Sequence, residues 1–217
     1  MKIKWLGHAC FLITSQSGLK IITDPYEAGF RDMISYGPVK ESPDIVTISH
    51  QHGDHNYTGD LQGNPEIVQE AGKHKVKGIE FTGTPCYHDR VSGKQRGNNT
   101  IFNFTLDNIQ VCHCGDLGHP LDNSVLQTLG HVDLLLIPTG GPEATLDLDE
   151  ALVLCEKIKP SVIIPMHFRN QKCIFPKYDI DELVKLRPSA VKSSKNEAEF
   201  TAGQLPTSQI LILEPSL

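Results

Sequence analysis

Short apolar runs broken by polar and glycine-bearing clusters dominate the first half of the chain. Runs of that length, rich in Val, Ile, Phe and Thr, predict β-strands. "KIKWLGHACFLIT" reads as a strand, and with "LKIITD" it flanks "SQSG", a turn cluster that makes the pair a hairpin. "DIVTIS", "KVKGIEFTGTP", "NTIFNFTLD" and "NIQVCHCGD" follow as further strands, with Asp107-Asn108 as the turn between the last two.

The second half changes period. In "DNSVLQTLG" Val125, Leu126 and Leu129 share one helical face, and Gly130 ends the helix. "HVDLLLIPTGG" reads as a buried strand. A second helix starts at Asp147, where Asp147 and Glu150 have the spacing of a capping box; Leu148, Ala151, Leu152 and Cys155 make its apolar stripe, and Pro160 stops it. "SVIIPMHF", "DIDELVKLRP" and "QILILEP" follow as strand, helix and strand, while "SSKNEAEFTAGQ" reads as an exposed connection. Two strand-rich halves with helices to cover a face predict stacked sheets clothed by helices.

Length adds that 217 residues fit one domain, 1–217. With 20 Lys+Arg against 26 Asp+Glu and no run of five like charges, the chain is not built to grip a polyanion by its net field. The opening "MKIKWLGHACFLITS" holds no apolar stretch long enough for a signal core or a membrane span. Six cysteines, Cys10, Cys86, Cys112, Cys114, Cys155 and Cys173, are scattered and mostly inside apolar runs, where Cys behaves as a small hydrophobe. A reducing, cytoplasmic location is expected.

Candidate chemistry is concentrated in "ISHQHGDHN", Ile48 to Asn56, directly after an apolar run. His50 and His52 stand two apart and can face the same way along an extended chain to share one metal ion. Gly53 permits a tight bend. Beyond it Asp54 and His55 reach a second position nearby, so one short loop can serve two ions of a hydrolytic centre. Packed without a cation, these side chains would need a partner for every buried polar atom. Further ligands are expected at the ends of other strands, and His88 in "GTPCYHDR", Asp116 in "VCHCGDLGH" and His167 in "VIIPMHF" each follow an apolar run. Imidazoles and carboxylates suit zinc, manganese or iron. Cys112 and Cys114 share one strand face and read as packing, with His113 on the other face; His74 and His131 read as surface residues.

The motifs "GHACFLI", "IITDP", "SHQHGDHN", "CYHDR", "CHCGDLG", "LLIPTGG" and "VIIPMHF" span almost the whole chain. In that order they resemble the metallo-β-lactamase superfamily, in its short bacterial and archaeal branch of metal-dependent hydrolases, which is similar to the ascorbate phosphate lactonases. The resemblance implies an α/β fold, a four-layer αββα sandwich of two mixed β-sheets flanked by helices, with the site at one edge. It implies two divalent ions, zinc first with manganese or iron as alternatives. His50, His52 and His88 would hold one, Asp54, His55 and His167 the other, and Asp116 would bridge. A hydroxide between the ions would be the nucleophile, Asp54 would also take a proton, and His8 would line the site as a second catalytic residue. Asp24 and His113 would support the ligands from behind; the role of His119 stays open. The chain departs from the family at Leu117, where Thr or Ser is common, and at "EATLDLDEA", which replaces a Met-Gly-Pro-type run.

The expected function is hydrolysis of an ester, lactone or phosphodiester bond in a small-molecule substrate, with no nucleic acid and no membrane partner. A homo-oligomer is compatible with the sequence. Alternatives are an iron-dependent oxidoreductase of the same fold, for which His52 stands where the di-iron reductases favour Glu, and a nuclease of the transfer-RNA-processing type, for which no basic, glycine-rich arm is present. A metal-binding scaffold would have lost some of the seven ligands, and none is lost.

Overall fold

Apolar residues face both ways along most strands, so each sheet is buried on two sides. The computed structural model describes residues 1–142 and 144–217. Strands β1 (Lys2–Gly7), β2 (Cys10–Thr14), β3 (Lys20–Thr23), β4 (Ile45–Thr47) and β5 (Glu66–Val68) make one sheet, closed at its other edge by β13 (Glu197–Glu199) in the order β13-β1-β2-β3-β4-β5. The second sheet has eight strands. It contains β6 (Gly72–Val76), β7 (Ile79–Tyr87), β8 (Asn98–Leu106), β9 (Ile109–His113), β10 (Leu134–Pro138), β11 (Val162–Met166), β12 (Val191–Lys192) and β14 (Gln209–Ile212), ordered β12-β14-β11-β10-β9-β8-β7-β6.

Three apolar layers follow from the period-two pattern. Ile3, Trp5, Phe11, Ile13, Phe102, Phe104, Leu134, Leu136 and Ile164 fill the space between the sheets. On the outer face of the eight-stranded sheet, Cys112, Cys114, Leu135, Ile137 and Ile163 pack beneath α1 (Asn123–Leu129), α2 (Leu148–Ile158) and α3 (Ile180–Leu186). Asp122 and Asp147 cap α1 and α2, and the Asp147–Glu150 capping box is formed. The outer face of the six-stranded sheet presents Leu6, Leu12, Ile22 and Val46 to a different cover: Tyr26, Ile34, Tyr36 and Val39 from an irregular segment with one 3₁₀ turn at Phe30–Asp32. Pro25, Pro38 and Gly37 deny that segment a long helix.

The sandwich of two mixed sheets agrees with the sequence reading, while several elements differ. "KIKWLGHACFLIT" is two strands, not one: the chain reverses at His8 and Ala9, with φ of 134° at Gly7 and 52° at His8. "KVKGIEFTGTP" is likewise split at Lys77-Gly78, both with positive φ. A two-residue reversal flanked by apolar runs leaves little trace in hydropathy. The stretch read as an exposed connection contributes β13, which pairs with β1 through Lys2 and Glu199 and through Lys4 and Glu197. Strand β5 carried no apolar signal strong enough to be noticed.

β1, β3, β4, β7, β9 and β11 are the strands that position the site. Within each sheet they run in one direction, since β3 and β4 pair in parallel, β9, β10 and β11 pair in parallel, and β1 and β7 stand two antiparallel steps away. Their carboxyl ends therefore meet on one rim.

Candidate metal centre

His8, Asp24 and the seven expected ligands sit just past a strand's carboxyl end, while His113 is the last residue of β9 itself. His8 follows β1, Asp24 follows β3, His50 to His55 follow β4, His88 follows β7, Asp116 lies three residues past β9, and His167 follows β11. His8, Asp24 and His167 hold left-handed φ values of 52°, 37° and 51°. That conformation costs a non-glycine residue energy, and surrounding structure holds it where a side chain must be re-aimed off a strand.

The structure brings all seven expected ligands together. His50, His52 and His88 place ring nitrogens within 4.8 Å of one another, and in a second group the same holds for ring nitrogens of His8, His55 and His167 and a carboxylate oxygen of Asp54. Asp116 stands between the two groups. Its Oδ2 is 3.2 Å from His55 Nε2, 3.2 Å from His167 Nε2, 3.3 Å from His88 Nε2 and 4.0 Å from His50 Nε2.

Three residues hold these ligands from behind. Asp24 Oδ2 lies 2.9 Å from His55 Nδ1, which turns Nε2 of that ring toward Asp116. Asp24 also accepts from the Ser49 backbone at 2.7 Å and from its hydroxyl at 2.5 Å, and the Ser49 Oγ lies 3.0 Å from His50 Nδ1. Asn99 accepts from the Asp116 backbone at 2.9 Å and donates to the Cys114 carbonyl at 2.9 Å, pinning the loop that carries the central carboxylate. Sequence reasoning missed Ser49 and Asn99. Asn99 left one signal, an amide inside a strand pattern that disfavours Asn.

Gly53 lies in the expected bend, where His55 and Asn56 N–H groups donate to the His52 carbonyl, but the demand for glycine has another cause. Its φ is not left-handed; a Cβ there would stand 2.6 Å from the Phe30 ring, so the position is kept small by close approach. A Cβ on Gly118 would lie 2.4 Å from the His88 carbonyl carbon, so the Asp116 loop can pass against the His88 backbone only as glycine.

The remaining candidates spread outward. His8 is fully buried, its Nε2 3.2 Å from His55 Nε2 and 3.5 Å from Asp54 Oδ2, its Nδ1 3.6 Å from the Cys173 sulfur. His113 faces the space between the sheets and meets the Ala9 carbonyl at 2.9 Å. Cys112 and Cys114 pack on the opposite face under the helices. His119 accepts from the Tyr87 backbone at 3.2 Å, and His131 pairs with Asp133 at 2.8 Å. His74 is half-buried in β6, its Nε2 2.7 Å from the Glu70 carbonyl. Leu117 is buried in the helix-side core, so the hydroxyl absent there would not have reached the cleft. Of "EATLDLDEA", Glu143 lies outside the described residues and Ala144 lines the cleft.

Electrostatics favour a cation. Burial pushes the His8 and His88 pKa values down to about 4 and that of His50 well below its usual value, leaving three rings neutral with lone pairs to donate. Burial works against ionised Asp116 and Asp54, yet the neighbouring His167 and His55 outweigh it for Asp116, and His55 and His8 for Asp54. Both carboxyls fall below the usual carboxylate range. Burial also opposes a charged His55, but Asp116 and Asp54 raise its pKa well above the ordinary value. Three buried carboxylates, Asp24, Asp54 and Asp116, thus face mostly neutral rings, a charge balance that needs positive ions. Nε2 of His50, both ring nitrogens of His167, Nδ1 of His88 and Oδ1 of Asp116 are buried without a hydrogen-bond partner. These orphaned donors fit metal coordination.

A family model described as the beta-lactamase superfamily domain matches residues 2–167. The chain belongs to the metallo-β-lactamase superfamily. Among its relatives is a UPF0173 metal-dependent hydrolase from Methanospirillum hungatei, 32% identical over 193 residues, covering 78% of this chain and 84% of the relative. A solved structure from Thermotoga maritima, assigned to the Zn-dependent hydrolases of the superfamily, superposes with a TM-score of 0.82 at 30% identity and covers 98% of both chains. Igni18, a metallo hydrolase from Ignicoccus hospitalis, shares the fold at a TM-score of 0.64 and 22% identity, over 99% of this chain and 95% of its own. This superfamily member is a metal-dependent hydrolase. Among the described residues no helix is long and apolar enough to cross a membrane.

Proposed function

We propose that residues 1–217 form one hydrolase domain that binds two divalent cations and cleaves an ester, lactone or phosphodiester bond in a small molecule. The observation that carries this reading is the single Asp116 oxygen lying within 4.0 Å of the Nε2 atoms of His50, His55, His88 and His167, from where it would serve both sets of ligands. His50, His52 and His88 would hold one ion, and Asp54, His55 and His167 the other. Imidazole and carboxylate donors suit zinc, with manganese or iron as alternatives. Bound there, the cations supply Lewis acidity and bring the pKa of water toward neutrality.

The chain's own groups do the rest. Water oxygen adds to the acyl carbon or the phosphorus as its proton passes to a carboxylate, the bond to the leaving oxygen breaks, and the alcohol leaves with that same proton. Asp54, held ionised and 8% exposed at the cleft, takes the proton that water gives up. His8, neutral and 3.5 Å from Asp54 Oδ2, fixes the direction of that carboxylate. Asp24 holds His55 at the angle its partner needs.

The test is a panel of ester, lactone and phosphodiester substrates with zinc, manganese or iron restored to chelator-treated protein. Turnover of at least one bond type that returns with metal and is lost in His50→Ala is expected. Dioxygen consumption by the iron form with no hydrolysis in any form would replace this reading with the oxidoreductase one.

A further inference from the structure

The molecule carries five arginines. Three are ion-paired: Arg90 with Glu150, Arg169 with Asp179 and Arg187 with Glu156. Arg31 and Arg96 have no carboxylate partner among the described residues, and both line the cleft over the metal centre, a cavity of about 710 Å³. Lys177 lines it too. The acidic residues lining the cleft, among those described, are Asp54 and Asp116, which belong to the metal set. In a chain of net charge −6 the described lining of the cleft thus holds two guanidinium groups without a carboxylate partner.

Both arginines stand on backbone that adjoins a loop carrying ligands. Asp89 directly follows His88, and its carboxylate accepts four backbone N–H groups, from Val91, Gly93, Gln95 and Arg96, at 2.8 to 2.9 Å. Those bonds fold residues 89–97 into a fixed hook that ends at Arg96. Arg96 also borders a second cavity of about 700 Å³ on the far side of Gln51 and His52, so it stands where the two spaces adjoin. Arg31 rests over the Phe30 ring at 5.0 Å, and that ring presses on Gly53 in the ligand loop. Arg31 keeps φ 50° and ψ 26° inside its 3₁₀ turn, a strained conformation for a long side chain.

We infer that Arg31 and Arg96 form an anion clamp, and that the substrate carries a phosphate or carboxylate group beside its scissile bond. A planar guanidinium forks onto such oxygens, and a cleft lined by one sign of charge concentrates ligands of the other. The inference rests on the hydrolytic reading for the position of the scissile bond, but the clamp itself is measurable without turnover.

Two measurements on the zinc-loaded protein decide it. Calorimetric titration with inorganic phosphate should show binding that weakens at least fivefold in Arg96→Gln and in Arg31→Gln, with Tm unchanged to show that both variants are folded. Carboxylic esters sharing a 4-nitrophenolate leaving group, one neutral (acetate), one carboxylate-bearing (hemisuccinate) and one phosphonate-bearing (3-phosphonopropionate), should rank by charge in kcat/KM. Arg96→Gln should reduce the anionic-to-neutral ratio about tenfold, and the two anionic arms separate carboxylate from phosphonate. Phosphate that does not bind, or binds equally to all three proteins, overturns the clamp. Phosphate binding as expected with no ester cleaved would remove carboxylic esters from the proposed bond types and leave the clamp standing.

Discussion

The two clusters of ligand-type side chains differ in exposure at one member, His52, since His50 and His88 are as buried as Asp54. His8, Asp54, His55 and His167 are all buried, with Asp24 behind His55 and Cys173 behind His8. His50, His52 and His88 form the other half, where His52 is half-buried and borders both cavities. The buried half is braced by side chains that fix its rings. The outer half has Ser49 behind His50, and His52 faces solvent. A braced, desolvated set loses less freedom on binding an ion, so if two ions bind as proposed, the braced cluster should hold its cation harder and the His52 cluster should exchange faster.

Asp116→Ala tests what the halves share and should have the largest effect. Removing the oxygen common to both should drop turnover to background and lower metal content in both halves, read by elemental analysis. Retention of two ions per chain in that variant would show that Asp116 does not bridge. His52→Ala and His55→Ala sharpen the contrast: each should cost one ion per chain, His52→Ala the weakly held one and His55→Ala the tightly held one.

Acid comes next, in metal-free protein. His8 and His88 have folded pKa values near 4 against 6.5 for the unfolded chain. As pH falls from 6.5 to 4 the unfolded state takes up protons that the folded state refuses, so stability declines throughout that window. One to two such protons give a slope of about 1.4 to 2.8 kcal/mol per pH unit. His55 has the opposite shift, and its contribution is fully present below 6.5, so it does not cancel the slope. Chemical denaturation at stepped pH reads it, and a flat profile would mean that these rings are not held neutral.

Asp24→Asn should weaken zinc affinity about 10- to 100-fold, measured by chelator competition, with the more tightly held ion the one affected. Loss confined to the weaker ion would reverse the assignment of the halves. Asp147→Ala, far from the centre, is the smallest and serves as reference: about 1 kcal/mol of stability lost with the capping box and no change in bound metal.

The sequence alone determined the strand ends and the ligand types. Apolar runs such as "DIVTIS" and "VIIPMHF" stop at His50 and His167 because a strand buried on both faces must be apolar, while its exit is free to carry chemistry. The helix starting at Asp147 was legible for a similar reason, since capping and periodicity are local.

Tertiary structure decided what depends on residues distant in the chain. Asn99 supports Asp116 across adjacent strands, and Gly53 is dictated by Phe30, more than twenty positions earlier. Pairing of Glu197 with Lys4 turns a polar stretch into β13, a strand no hydropathy pattern announces. Which arginines stay unpaired is likewise a property of packing. Local patterns are fixed by each segment's own periodicity; partners across the sandwich are fixed by which strand ends the common direction of β1, β3, β4, β7, β9 and β11 brings to one rim.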